Sequence, residues 1–223
     1  MDDCTAVAYR EVELLPEEML REIGYGDTPP ESSVLETIML ILNILKREAK
    51  PRYVFSVSEG AFEGAAVRIR GRLLETGAVI TRLLERSTSF ALFAATAGHE
   101  FEQILQTHKT SDDMLAAYLF DVAGTLLVEK VGDYMERQLE ASLPSGLLHT
   151  NRFSPGYCGW HLTGQRKIFD LLGNRPCGIT LSEVCLMTPI KSISGIIGMG
   201  SDVQTGQYAC RYCEMEICYK RKK

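Results

Sequence analysis

Apolar positions along this chain change their spacing from stretch to stretch, and each change predicts an element. The stretch "PPESSVLETIMLILNILKREAKP" (29–51) opens on prolines and serines and ends basic before Pro51. Between those marks Val34, Leu35, Ile38, Leu42 and Leu45 form a stripe at helical spacing, which predicts an amphipathic helix. Ahead of it, "LPEEMLREIGYG" (15–26) reads as a short helix closed by glycines, and the loose alternation of "TAVAYREVEL" (5–14) reads as an edge strand. "RYVFSVSE" (52–59) and "AAVRIRG" (65–71) predict two further strands, and a helix fits 73–86 with Leu73, Leu74, Ile80, Leu83 and Leu84 inward. "SFALFAAT" (89–96) is apolar without interruption, as in a strand covered on both faces, and leads through "AGHE" into a helix over 99–108.

The longest pattern is 111–142. It begins with an N-cap at Ser111 or Asp112 and keeps Leu115, Leu119, Val122, Leu126, Val131, Tyr134 and Met135 near helical spacing. Gly124 and Gly132 interrupt it, each at a cost of about 1 kcal/mol relative to alanine, so close packing or a bend is expected there. Further on, 163–173 reads as a helix and "GNRPCGI" as a turn; "TLSEVCLM" (180–187) and "SISGIIGMG" (192–200) read as two strands of a hairpin joined by "TPIK". The sum is an α+β chain: a twisted antiparallel β-sheet flanked by helices, with an N-terminal helical subregion. The expected divisions are 1–60, a core over 61–205, and a Cys-rich basic tail over 206–223.

Composition narrows the picture. With 223 residues, 45% of them hydrophobic, the chain can bury a sizeable core. A net charge of −5 argues against a nucleic-acid surface, and the terminal "KRKK" reads as a solvated tail. The acidic start "MDDCTAVAYR" is unlike a signal peptide, and the greasiest stretch, "VLETIMLILNIL", falls short of a membrane span; the expectation is a cytoplasmic protein with no membrane partner. Its seven cysteines should then be mostly reduced, and the odd count argues against a complete disulfide framework.

Candidate chemistry concentrates in "NRFSPGYCGW" (151–160), which holds the sole tryptophan. Pro155 and Gly156 make a turn that brings Arg152 and Tyr157 together. A guanidinium fork matches a carboxylate, so the loop suits a small anionic or zwitterionic ligand; an Arg–acid pair stapling the loop is the plainer alternative. On the long helix Glu129 and Asp133 share a face, with Asp133 pairing Arg137 in the ordinary i,i+4 manner and Glu129, beside Val128 and Val131, the inward acid. Cys210, Cys213 and Cys218 in "CRYCEMEIC" have spacing that suits zinc or an iron–sulfur cluster, given a fourth ligand from Cys158, Cys177, Cys185 or a histidine. Free thiols in a tail are the alternative. There is no H-E-x-x-H and no Walker A, and the G-x-G of "IIGMGSD" is weak evidence for a nucleotide loop.

"RFSPGY" resembles the R-x-x-P-G-Y signature of the activation domain of vitamin B12-dependent methionine synthase. "DLLGNRPCGITLSEVCLMTPIKSISGIIGMG" is similar to that domain's helix, turn and strand pair, and "VEKVGDYMERQLEA" to its Glu-bearing helix. "FAATAGHEFEQ" resembles the A-T-x-G turn of the stand-alone, single-domain branch, and the likeness covers roughly 90–200. The resemblance implies binding of S-adenosylmethionine and docking on a corrinoid protein or a methionine synthase lacking this domain. There cob(II)alamin, reduced by an electron from flavodoxin or ferredoxin, is remethylated. It makes the chain an accessory part of that methyltransferase reaction. By position it implies Arg152 on the ligand carboxylate, backbone groups from Pro155 and Gly156, and Tyr157 against the pocket. Glu129 would meet the ammonium or ribose, and Tyr208 matches a late-strand aromatic. The cysteine trio lies outside the family pattern and would add a structural metal or an electron-supplying cluster. A docking or capping module that keeps the fold and has lost the ligand, or a metal protein, are the competing readings.

Overall fold

The computed structural model describes residues 4–26, 28–109 and 113–203. Tyr208, Cys210, Cys213, Cys218 and the tail 206–223 therefore lie outside the described residues, as do Ser111 and Asp112. The elements in order are β1 (Thr5–Ala6), α1 (Pro16–Glu22), α2 (Ser32–Glu48), β2 (Arg52–Phe62), β3 (Val67–Ile69), β4 (Arg72–Leu74), α3 (Gly77–Leu84), β5 (Ser89–Thr96), α4 (His99–Lys109), α5 (Met114–Ser142), β6 (Leu148–His149), α6 (Gly164–Leu172), β7 (Thr180–Leu181), β8 (Met187–Thr188) and β9 (Ser192–Gly200).

The main sheet is antiparallel, in the order β4-β3-β2-β5-β9-β6, with β1 against the start of β2. β5 sits at its centre, paired with β2 from Arg52↔Thr96 to Glu59↔Ser89 and with β9 from Ser89↔Met199 to Thr96↔Ser192. Its unbroken apolar run is explained by cover on both faces, because successive strand residues point to opposite sides. Ala91, Phe93 and Ala95 join α2, α4 and α5 in one core; Phe90, Leu92 and Ala94 join α3, α6 and Trp160 in the other. The division expected at residue 60 falls inside β2. No helix among the described residues is long and apolar enough to cross a membrane.

Several expectations are corrected. The stretch 5–14 is a strand only at Thr5–Ala6; a 3₁₀ turn at Tyr9–Glu11 follows. Its buried residues Val7, Tyr9, Val12 and Leu14 are spaced two, three, two, a pattern no straight strand keeps on one face. The helix expected over 73–86 is shorter, because Arg70 and Gly71, both at positive φ, turn the chain into β4 against β3. A two-residue turn with that backbone is the hairpin type that fits strand twist. Leu35 is exposed, and the stripe of α2 is Val34, Ile38, Ile41 and Leu45.

The N-cap of α5 is Asp113, whose carboxylate accepts from the Ala116 amide at 2.9 Å. The expected hairpin is two separate things: β7 pairs with β8, and β9 enters the main sheet between β5 and β6. Gly195 and Ile196–Gly200 are buried throughout, so β9 needs cover on both faces, which only the sheet centre supplies. Finally, Cys4 and Cys177 form a disulfide with Cα atoms 5.2 Å apart, contrary to the expectation of reduced thiols at these positions. It closes a loop across nearly the whole chain and so removes entropy from the unfolded state. Cys158 and Cys185 keep their thiols.

Candidate functional site

The loop 151–160 is fastened at three points. Phe153 exchanges both backbone hydrogen bonds with Ile196 of β9 at 2.9 Å, and Gly195 is required beside it because a Cβ there would strike the Phe153 carbonyl. Thr150 donates its amide to the Gly198 carbonyl at 2.8 Å and receives the Gly198 amide on its hydroxyl at 3.0 Å. Trp160 is fully buried, its indole laid over Gly164 at the start of α6. The turn between closes by Gly156 N–H to the Trp160 carbonyl, 2.7 Å, and Trp160 N–H to the Tyr157 carbonyl, 2.9 Å.

These fastenings aim Arg152 at α5. Glu129, Asp133 and Glu136 follow one another at i, i+4 and i+7 and so share one helix face. Arg152 Nε lies 3.2 Å from Glu136 Oε2, and its Nη2 lies 2.7 Å from Asp133 Oδ1 and 3.5 Å from Glu129 Oε2. Its Nη1 is sealed from solvent with no hydrogen-bond partner, against Gly132, where a Cβ would overlap it. Gly132 is thus explained by close packing, and so is Gly124, where a Cβ would strike the Phe101 ring.

The acids differ in setting. Glu136 is 20% exposed, whereas Asp133 and Glu129 are 56% and 52% exposed. The inward acid is therefore Glu136, contrary to the expectation for Glu129. Glu136 falls four residues after buried Gly132 and three before buried Leu139, within the stripe that α5 buries; Glu129 sits at its margin. Asp133 pairs with Arg152 rather than Arg137, whose guanidinium instead lies 5.6 Å from the Tyr134 ring centre.

Burial pushes the Glu136 carboxyl up; Arg152 and His149 pull it down, and Asp133 and Glu140 push it up further. His149 Nδ1 is 3.8 Å from Glu136 Oε1 and 2.8 Å from the Thr150 carbonyl. A carboxyl whose folded pKa exceeds its unfolded value favours folding through its protonated form. Its contribution is complete below the unfolded pKa, about 4.3, and is lost as pH rises through the folded value. Chemical denaturation of wild type and Glu136→Gln across pH should therefore show their stability difference, wild type minus variant, falling with pH above that point.

The sequence-predicted residues meet as follows. Arg152 and Glu129 come together, with Asp133 and Glu136 added. Pro155 is buried under the turn. Gly156, at φ +99°, has its amide taken by Trp160, so it offers no donor. Tyr157 is 65% exposed, at the rim rather than in the core. Among the described residues the amides of Arg152, Ser154, Tyr157 and Gly159 donate to no protein group, and those of Ser154 and Tyr157 flank the Pro155–Gly156 turn. Spacing could place Glu136 on the helix face of Glu129 and Asp133, at i+7 from Glu129, but not tell which of these acids is buried. No group of three His, Cys, Asp or Glu among the described residues is placed to hold a metal ion.

One guanidinium among three carboxylates leaves a surplus of negative charge, open to solvent at Glu129 and Asp133. Such a site attracts ammonium or other cationic groups, and a carboxylate can reach the guanidinium only by displacing Asp133 from Nη2.

No curated protein matches the chain. Among solved structures, the crystal structure of the MetH reactivation domain bound to AdoHcy superposes with a TM-score of 0.65 at 16% identity, covering 92% of this chain and 80% of that one. The two share the fold. The family described as "Vitamin B12 dependent methionine synthase, activation domain" matches residues 80–222, a span that holds β5, α5, the 151–160 loop and β9. The chain belongs to the vitamin B12-dependent methionine synthase activation domain family.

Proposed function

We propose that this protein binds S-adenosylmethionine where the 151–160 loop meets α5, and presents it to reduced cobalamin on a separate corrinoid protein. That partner would be a methionine synthase without its own activation domain, or another corrinoid methyltransferase. The observation that carries this reading is Arg152, in the family's R-x-x-P-G-Y setting, seated on an acidic face of α5. The structural neighbour holds AdoHcy, which is S-adenosylmethionine without its methyl group.

Bound there, S-adenosylmethionine supplies an electrophilic methyl group on a sulfonium. The protein's task is positional, since no proton moves in such a transfer. Arg152 Nη2 holds the ligand carboxylate. Glu129 meets the ammonium or a ribose hydroxyl. The exposed amides of Ser154 and Tyr157 and the Tyr157 ring close the rim. Surplus negative charge on α5 favours a sulfonium cation over the neutral thioether that remains after transfer, which helps the product leave.

A second reading, a docking module that does not hold the ligand, is favoured by one observation: the guanidinium's strong contacts are already taken by Asp133 and Glu136. Calorimetry with S-adenosylmethionine, with and without the corrinoid partner, separates the two. Binding by wild type that weakens at least tenfold in Arg152→Ala supports the methyl-donor reading. Silence from wild type under both conditions supports the docking module.

A further inference from the structure

The three nitrogens of Arg152 are not equivalent. Nε is anchored on Glu136, the most buried of the three acids. Nη1 is sealed against Gly132 without an acceptor. Nη2 faces outward, and its one short contact is Asp133 at 2.7 Å, with Glu129 at the limit of hydrogen-bond reach at 3.5 Å. The guanidinium is therefore fixed on its inner edge and held on its outer edge by a half-exposed carboxylate. Asp133 is 56% exposed where Arg152 is 17% exposed, so this pair is the short contact whose carboxylate water already reaches. It is the one contact in the cluster that a ligand can exchange without uncovering a buried charge.

We propose that Asp133 is a latch that sets the ligand specificity of this site. The amino-acid end of the ligand inserts into the Arg152–Asp133 pair, its carboxylate taking over Nη2 and its ammonium taking over the Asp133 carboxylate, which leaves Glu129 to the ribose hydroxyl. The inference rests on the methyl-donor reading above and assigns the selectivity to a residue that reading leaves unused. A ligand with a carboxylate alone breaks the pair and sets its own charge beside Asp133 unmatched. A ligand with an ammonium alone leaves Nη2 without gain. A zwitterion whose charges sit on one carbon restores both contacts, one Arg–carboxylate and one carboxylate–cation pair replacing a single pair. The site thereby selects nucleosides bearing an intact α-amino acid.

The test is calorimetry on the full chain with S-adenosylhomocysteine and two of its analogues, one lacking the amino group and one lacking the carboxyl group. Wild type should bind the intact ligand about tenfold or more tightly than either analogue, the range of a charge-assisted hydrogen bond. In Asp133→Asn the intact ligand should weaken about tenfold. The analogue without the amino group should bind at least as tightly as it does to wild type, so that the discrimination between them falls to about twofold. Asp133 is half-exposed, so the variant retains the fold, and Trp160 fluorescence checks this directly. Wild-type discrimination preserved in Asp133→Asn overturns the latch and leaves the methyl-donor reading standing. No binding of any of the three ligands, or of S-adenosylmethionine, by wild type overturns both.

Discussion

Replacing Trp160 with alanine should lower the unfolding free energy by about 3–5 kcal/mol, the range for a large aromatic removed from a packed core. Trp160 is 1% exposed and lies in the core formed with Ile80, Leu84, Phe90, Ile168 and Phe169. Its loss opens a cavity between α3, α6 and the sheet. The effect should also reach the site, because the indole anchors the residue whose backbone N–H and C=O close the Gly156–Trp160 turn. With the indole gone the turn loses its packing against Gly164 of α6, and the amides of Ser154 and Tyr157 lose their fixed direction. Trp160→Phe is the informative contrast. The buried indole Nε1 has no hydrogen-bond partner, so exchanging it for a phenyl ring removes an unsatisfied donor along with some volume. We expect a cost below about 1.5 kcal/mol for that change and a near-normal loop. Urea denaturation followed by circular dichroism measures both; equal costs for the two variants would show that packing by Trp160 is not what orders the loop.

Trp160 also illustrates what the chain reveals before it is folded. That a lone tryptophan belongs to the 151–160 loop is visible in "NRFSPGYCGW"; that it is the loop's buried foot is not. Elements with a strong period were legible: α2, α5, β5 and α6 lie where apolar spacing puts them. What escaped depended on pairing with distant segments. β4 exists because Arg70 and Gly71 turn Leu73 and Leu74 back onto β3, and the apolar content of 73–86 alone fits a helix as well. β9 joins β5 because a strand buried on both faces needs neighbours on both edges, a requirement that cannot be read from its adjacency to "TPIK". The site followed the same division. Arg152 and an acidic helix face could be named from residue types and spacing, whereas the choice between Glu129 and Glu136 as the buried partner depended on where α5 presses against β9 and the loop. Cys4 and Cys177 stand 173 residues apart in sequence, and no local pattern pairs them.

Gly132→Ala should destabilise the protein and weaken ligand binding at least thirtyfold, although helix propensity alone predicts the opposite sign. Alanine is favoured over glycine inside a helix by about 1 kcal/mol, and Gly132 lies well within α5. Against that gain stands the guanidinium of Arg152: a Cβ on residue 132 occupies the place of Nη1, and it approaches Ile193 Cδ1 to 2.8 Å. The isoleucine methyl can swing aside, but Arg152 is tied through Nε to Glu136 and cannot move without leaving a mostly buried carboxyl unpartnered. Removing one partner of such a contact costs about 1–3 kcal/mol, so against the helix gain of about 1 kcal/mol the net change should be a loss of up to about 2 kcal/mol. A double-mutant cycle isolates the cause. In an Arg152→Ala background only the movable Ile193 methyl remains beside residue 132, and Gly132→Ala should become neutral or stabilising there, giving a coupling of about 2 kcal/mol between positions twenty residues apart in sequence. Additive effects would mean that the glycine serves the helix and not the arginine, and the buried inner edge of Arg152 would no longer account for how the loop is aimed.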